Sequence, residues 1–401
     1  MNELCARDRP LRVAHLIHGL AHGGAERVLL DLAEAAPGAG IEMSVLSMMP
    51  TDGYQYPEDL RARGVAVATL QLHSRWDLRA LTAAVAALQS QAPDVLHAHL
   101  KHADLVGAYA SRRLDVPLVS TLHLIEDAPG LLGRGKRLLA AQGRRRVAAR
   151  TIAVSEAVRQ WYLAAFRVDP ARVVTIPNGV LAGTATSSEE RRLLRSELGV
   201  EPETVMMTMV GVMRAGKGHV TAIAILRHLP SELKICLVLV GDGPLRGDLE
   251  RAAAADVSTG RVVFTGYRTD VSALLQASDV QLSVSEFDAL PTVLIEGLAA
   301  GTPAVAFSVG GVPEIVTEST GRLVPPGDVE AFATAVGELL TDPDLRARLG
   351  AAGRVRFDQE FDATIWAGRL RRLYADVLDE KAHTLFLARH NPDGRERGER
   401  R

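Results

Sequence analysis

Residues 280–314 read VQLSVSEFDALPTVLIEGLAAGTPAVAFSVGGVPE. The start of this stretch is apolar and β-branched and then gives way to small polar residues, which predicts a buried strand. Pro291 fits the first turn of a helix, where its missing N–H costs nothing. Asp288 then belongs to the loop leaving the strand, and Glu296 lies about one turn into the helix. In an open α/β sheet, ligands bind beyond the carboxyl ends of the strands. Two carboxylates placed there, with Leu290 and Thr292 between them, mark a candidate ligand site.

Working outward, the same alternation of short apolar strands and amphipathic helices fills the chain. LRVAHLIH (11–18) reads as a strand, GLAHGGAE as a glycine-rich turn, and AERVLLDLAEAA as a helix. This is the opening of a Rossmann unit. Its glycines do not spell G-x-G-x-x-G, so no dinucleotide site is implied. Gly23 and Gly24 instead allow a backbone to approach a ligand closely, with helix N–H groups facing an anion. Further strands are expected at IEMSVLSM, VAVATLQL, DVLHAHL, VPLVSTLH, TIAVS and RVVTIP, in the pattern of a buried parallel sheet. His97 and His99 share one face of their strand. A third metal ligand is not evident, so no metal site is expected. His123 closes the next strand. Ser155 reads as a helix N-cap.

After a polar stretch near 182–188 the pattern restarts. TVMMTMVG is a strand and GVMRAGKG (211–218) a turn carrying Arg214 and Lys217. Two cations in a glycine loop at a strand end suit a diphosphate leaving group, because fixed positive charge stabilises the charge that builds there. The loop is not a P-loop, since Gly218 stands where Ser or Thr is required. Tyr267 and Arg268 leave a later strand. Gly310 and Gly311 precede a helical turn, where backbone N–H groups can hold phosphate oxygens. Asp342 and Asp344 form a D-x-D, but Asp-Pro between two amphipathic segments reads as a helix start.

The chain has 401 residues, 47% of them hydrophobic, a net charge of −2 and two cysteines. That is enough to bury two cores. It does not point to nucleic acid, and it provides no disulfide framework or zinc pattern. The first residues lack a signal peptide's clean apolar run, and no apolar run is long enough to span a bilayer. A cytoplasmic protein is expected. Basic residues outnumber acidic ones up to Ala182 and the balance then reverses. Residues 131–150 concentrate Arg134, Lys136, Arg137, Arg144, Arg145, Arg146 and Arg150. The default reading is a solvated helix face. The alternative is peripheral contact of 134–150 with an anionic membrane surface or a lipid-diphosphate acceptor.

Within 280–314, S-x-x-acid-x-x-P-x-x-x-x-E resembles the hallmark of the retaining family 4 glycosyltransferases (glycosyl transferases group 1). The usual first acid is Glu; here it is Asp288. The loop 211–218 resembles the family's G-R-x-x-x-x-K-G, with Val212 in place of the Arg. Gly241 to Pro244 resembles its G-x-G-P, Pro177 to Val180 its hinge, and the strand-end H-x-H its first-domain pattern. The resemblance implies a type B glycosyltransferase fold: two Rossmann-like domains facing an interdomain cleft, with the C-terminal helix crossing back to the first. The expected divisions are 1–182 (acceptor domain), 183–365 (nucleotide-sugar donor domain), 366–390 (returning helix) and 391–401 (disordered tail).

The resemblance also implies transfer of a sugar, with retention, from a nucleoside diphosphate sugar, UDP- or GDP-linked first. Acceptors would be a glycan, a lipid-linked or a small molecule, commonly in polysaccharide assembly. The nucleotide sugar is a substrate, and no cofactor or metal is expected. The resemblance puts Lys217 and Arg214 on the diphosphate and Glu296 on the ribose. Asp288 and His123 face the sugar, Tyr267 lies at the nucleobase edge, and Gly24 lies near the donor. Gly23 and His99 are on the acceptor side. Two alternatives stay open: a nucleotide-sugar epimerase of the same fold, and a sugar-nucleotide-binding protein without turnover.

Overall fold

A computed structural model describes residues 9–20, 24–51, 53–70, 79–124, 141–142, 144–230 and 232–390. The chain divides into two units, 1–154 with 159–176 and 363–401, and 155–158 with 177–362.

The first unit is built on a parallel sheet. Its strands are β1 (Leu11–Ile17), β2 (Ile41–Ser47), β3 (Ala66–Thr69), β4 (Val95–His99), β5 (Leu118–Leu122), β6 (Ala148–Ala153) and β7 (Val173–Thr175). Among the described residues the order is β3-β2-β1-β4-β5-β6-β7. The order reverses direction between β1 and β4, which is where such sheets place ligands. Alternation along the strands separates two faces. Ala14, Leu16, Leu96 and Ala98 join an apolar core with Leu88 and Ala103 of the helices Arg79–Gln91 and Lys101–Leu114. The residues between them, His15, His97 and His99, point to the other face and are buried too. In the β1–β4 register His15 lies beside His97.

The long helix Ala363–His390 belongs to this unit and packs on the helix Gly24–Ala35. Its fully buried Tyr374 puts its hydroxyl 2.7 Å from His97 Nδ1. At the sheet's rim Lys381 pairs with Asp115 at 2.9 Å, and Arg150 pairs with Glu380. The sequence pattern places Tyr374 on an apolar face. The structure shows it to be the polar anchor of that face.

The second unit holds β8 (Val205–Val210), β9 (Ile235–Val240), β10 (Val262–Gly266), β11 (Val280–Ser283), β12 (Ala304–Phe307) and β13 (Gly321–Val324). The order is β10-β9-β8-β11-β12-β13, again all parallel, with its reversal between β8 and β11. A capping box at Ser187 and Glu190 starts the first helix of this unit at Ser188. The helix Thr292–Ala300 follows β11, with Pro291 at its N-cap rather than inside its first turn. It sits close to the sheet because Gln281, fully buried in β11, donates from Nε2 to Val293 O at 2.8 Å. A Cβ on Gly297 would stand 2.0 Å from Gln281 Oε1.

Gly297→Ala is therefore expected to lower unfolding free energy by about 1–3 kcal/mol through overpacking. Urea melts of the two proteins would show it. Equal midpoints would mean that the helix can lift off Gln281 at no cost.

Candidate active site

In the second unit the site assembles at the carboxyl ends of β8 and β11. The loop after β8 turns back through Gly218, whose φ is 78°. A Cβ there would lie 1.9 Å from Val284 O. Only glycine allows that approach, and Glu286 N donates to Gly216 O at 2.9 Å beside it. The two loops are thus stitched backbone to backbone. Lys217 consequently faces Asp288, with Nζ 2.7 and 2.9 Å from the two carboxylate oxygens. Their side chains retain 21% and 17% of their exposure. The sequence gives them separate partners, a diphosphate and a sugar; the structure pairs them. An ammonium has three N–H donors, so one remains for a ligand oxygen.

Arg214 does not join this pair. Its side chain is exposed and bonds to the neighbouring Ala215 O at 3.2 Å. Leu290 is buried, Thr292 and Glu296 are half-buried on the helix that opens at Thr292, and Tyr267 is 56% exposed at the end of β10. Arg268 is committed elsewhere, at 2.7 Å from both Asp270 and Glu197. Gly311 does not offer its N–H to a phosphate, because it donates to Asp288 O at 2.9 Å. The turn beyond it is a three-residue 3-10 segment, Val312–Glu314. Asp342 caps the helix Pro343–Arg356 by accepting from Leu345 N at 2.7 Å. The D-x-D is therefore a helix start.

Sequence reasoning stopped at an N-cap for Ser155, which does accept from Val158 N at 3.2 Å. Ser155 also donates to Ala289 O at 2.7 Å, next to Asp288. Glu314 accepts from the N–H groups of Glu156 and Ala157 at 2.8 and 3.0 Å. Nothing local in the sequence signals these contacts. A cavity of about 560 Å³ in this unit, lined by Arg191, Arg195, Pro202 and Asp279, is separate from the site, because Asp279 precedes β11 at the opposite end of the strands.

In the first unit, β1, β4 and β5 bring histidines together. His15 Nδ1 is 2.9 Å from His99 Nε2, and His99 Nδ1 is 2.9 Å from His123 Nε2. His97 Nε2 is 2.7 Å from Thr121 Oγ1. His99 is only 1% exposed and both of its nitrogens are engaged, so it backs His123 instead of touching an acceptor. His15, which the sequence reading passed over, starts the file. His123 is half-buried at the end of β5. Burial pushes His15 down to about 3 and His123 to about 4, and holds His97 and His99 well below the usual imidazole range. His15, His97 and His99 could approach a metal, with ligand atoms within 4.8 Å of one another. Hydrogen bonds already occupy both nitrogens of His97 and of His99, which leaves only His15 Nε2.

Gly24 opens the helix Gly24–Ala35 and is exposed; Gly23 lies outside the described residues. Within the basic stretch, Arg134, Lys136 and Arg137 also lie outside them. Arg144 is buried, 3.3 Å from Asp104 and over the Tyr162 ring. With Arg150 on Glu380, two cations of the stretch serve the fold, and Arg145 and Arg146 stay exposed. No helix of the described residues is long and apolar enough to cross a membrane.

Comparison with known proteins decides the family. The model for glycosyl transferases group 1 matches residues 190–356, and that for Glycosyltransferase Family 4 matches residues 22–181. An alpha-maltose-1-phosphate synthase of Mycobacterium tuberculosis is 31% identical over 315 residues, 73% of this chain and 81% of the relative. The chain belongs to glycosyltransferase family 4. It is a glycosyltransferase that uses nucleotide sugars. A D-inositol 3-phosphate glycosyltransferase of Kineococcus radiotolerans is 28% identical over 404 residues, 90% of this chain and 92% of the relative. The Anabaena Alr3699/HepE structure with UDP and glucose superposes with a TM-score of 0.80 at 23% identity, covering 91% of this chain and all of that one. The fold is therefore the type B glycosyltransferase fold.

The neutral buried histidines set a pH dependence for this glycosyltransferase. Below pH 6.5 or so the unfolded chain protonates them and the folded chain does not. Their contribution is whole above that pH and is lost as pH falls toward the folded values. Each enclosed ring adds a slope of about 1.4 kcal/mol per pH unit. Urea midpoints should fall between pH 6.5 and 5.5, above most carboxylate titration. A flat profile would mean that these rings are already charged in the fold.

Proposed function

We propose that this family 4 enzyme transfers a hexose or related sugar, with retention, from a UDP- or GDP-sugar to a glycan, lipid-linked or small-molecule acceptor. The observation that carries the reading is Lys217, held by Asp288 at 2.7 and 2.9 Å on a glycine-stitched loop beyond β8. When the bond from the anomeric carbon to the phosphate oxygen breaks, negative charge grows on the diphosphate. A fixed ammonium stabilises that charge without reorganising. The acceptor oxygen bonds to the anomeric carbon on the same face, and its proton passes to the leaving phosphate oxygen. Asp288 keeps the ammonium aimed and offers its remaining lone pairs to a sugar hydroxyl. Exposed Arg214 is free to swing to the phosphates.

Glu296 accepts from the ribose hydroxyls, as acids do in nucleotide folds. Tyr267 borders the base, and Leu290 and Thr292 line the donor side; for Gly24 and His123 of the first unit the family resemblance implies a role toward the sugar. Support for a uridine donor comes from the fold neighbour crystallised with UDP and glucose. The relatives named for maltose-1-phosphate and inositol 3-phosphate support sugar transfer to small molecules. Any contact with an anionic membrane would fall, among the described residues, to Arg145 and Arg146.

The test is binding and slow hydrolysis across UDP-, GDP-, ADP- and dTDP-sugars, with and without EDTA. One nucleotide class should bind and turn over in EDTA. Lys217→Ala should lower kcat about 100-fold. Glu296→Ala should weaken donor binding about tenfold while changing kcat less. Epimerised donor would make the enzyme an isomerase, and no binding to any member would sink the site.

A further inference from the structure

We propose that His15 and His99 are positioning residues that set the proton of His123, so that His123 presents Nδ1–H as a donor to the substrate. The proposal rests on the reading that His123 faces the sugar.

The rings form a single file, His15 Nδ1 to His99 Nε2 and His99 Nδ1 to His123 Nε2, each step 2.9 Å. A neutral imidazole carries one N–H and one lone pair. The file therefore has only two settings. In one, every ring is protonated at Nδ1, which leaves a lone pair at His15 Nε2 and an N–H at His123 Nδ1. In the other, every ring is protonated at Nε2, and His15 Nε2–H is left as a donor. His15 is fully buried and its Nε2 has no partner among the described residues. A buried donor without an acceptor loses its whole hydration, and among backbone groups orphaned N–H groups are rarer than under-satisfied acceptors. The first setting follows.

The neighbours cannot undo it. His97 stacks on His99 with centroids 4.3 Å apart. Its own nitrogens are spent on Tyr374 Oη and Thr121 Oγ1, both at 2.7 Å. A carboxylate commonly fixes such a tautomer. Among the described residues, none bonds to these rings. The buried end at His15 takes that part. His123 Nδ1 has no hydrogen-bond partner among the described residues, and the residue is half-buried just past the carboxyl end of β5.

Two-bond proton–nitrogen spectra of the full chain, labelled at the histidine ring nitrogens, read the tautomers directly. Single His→Gln variants assign them. Wild type should show Nδ1–H at His99 and His123. His15→Phe removes the donor, so both rings should become tautomer mixtures. kcat should then fall about tenfold, with donor KM within about twofold. His15→Asn, whose amide N–H can meet His99 Nε2, should restore both readouts.

Nε2–H at His123 in the wild type overturns the proposal, and this spectrum decides even where His15→Phe does not fold. A His15→Phe protein that melts lower yet keeps a pure Nδ1–H at His123 also overturns it. So does stoichiometric zinc that is lost in His15→Phe. The two layers separate cleanly. His123→Ala with wild-type turnover removes the substrate-facing reading and leaves the proton file standing. A crippled His123→Ala beside an Nε2–H file removes only the file.

Discussion

The close approach of Gly218 to Val284 is the constraint on which the candidate site of the second unit depends. Two loops leave neighbouring strands, and their backbones meet where a Cβ would stand 1.9 Å from a carbonyl oxygen. That meeting aims Lys217 at Asp288 in place of solvent. An exposed ion pair is worth little. This pair is only partly exposed and matters through geometry, because it holds the ammonium in one orientation. Shortening the usual Glu to Asp288 does not cost the contact, since both carboxylate oxygens lie within 2.9 Å of Nζ. Val212 in place of the usual Arg is a different matter. Arg214 is exposed and bonds to Ala215 O, so the pre-aimed charge in this loop rests on Lys217.

The two sheets solve the problem of a buried face differently. In the second unit, the buried Gln281 reaches the helix backbone at Val293, and Gly297 gives it room. In the first, the face beneath the helix Ala363–His390 is lined by histidines. Burying that many polar rings costs stability unless each finds partners. Tyr374 and Thr121 satisfy His97, and the neighbouring rings satisfy His99. The remaining orphan, His15 Nε2, sits at the dead end of the file. Polar burial of this kind restricts how the helix can dock, because an apolar substitute for Tyr374 would leave His97 Nδ1 unmet.

Much of the architecture was legible along the chain. Strand positions, the restart of the βα pattern after the polar stretch and the placement of Asp288 and Glu296 follow from hydrophobic alternation and local turn chemistry, both short-range properties. Lys217 was legible for the same reason, as a cation in a glycine loop after a strand. Arg268 and Arg144 were not. One stood at a strand end and the other in a stretch read as a solvated face, and each is taken by acids that pair with it in the fold: Glu197 and Asp270 for one, Asp104 for the other.

By itself the sequence determined the fold class and the placement of Asp288, Glu296 and Lys217 around strand ends, because spacing within a strand-loop-helix is enough to place them, and its motifs carried the resemblance to the family. The tertiary structure alone decided which groups meet. Lys217 and Asp288 are 71 residues apart, His15 and His99 are 84 apart, and His97 and Tyr374 are 277 apart. No periodicity carries that information. It arises when parallel register sets His15 beside His97 and a returning helix lays a tyrosine on the same face. The order of the protons along that face is likewise a property of its buried end.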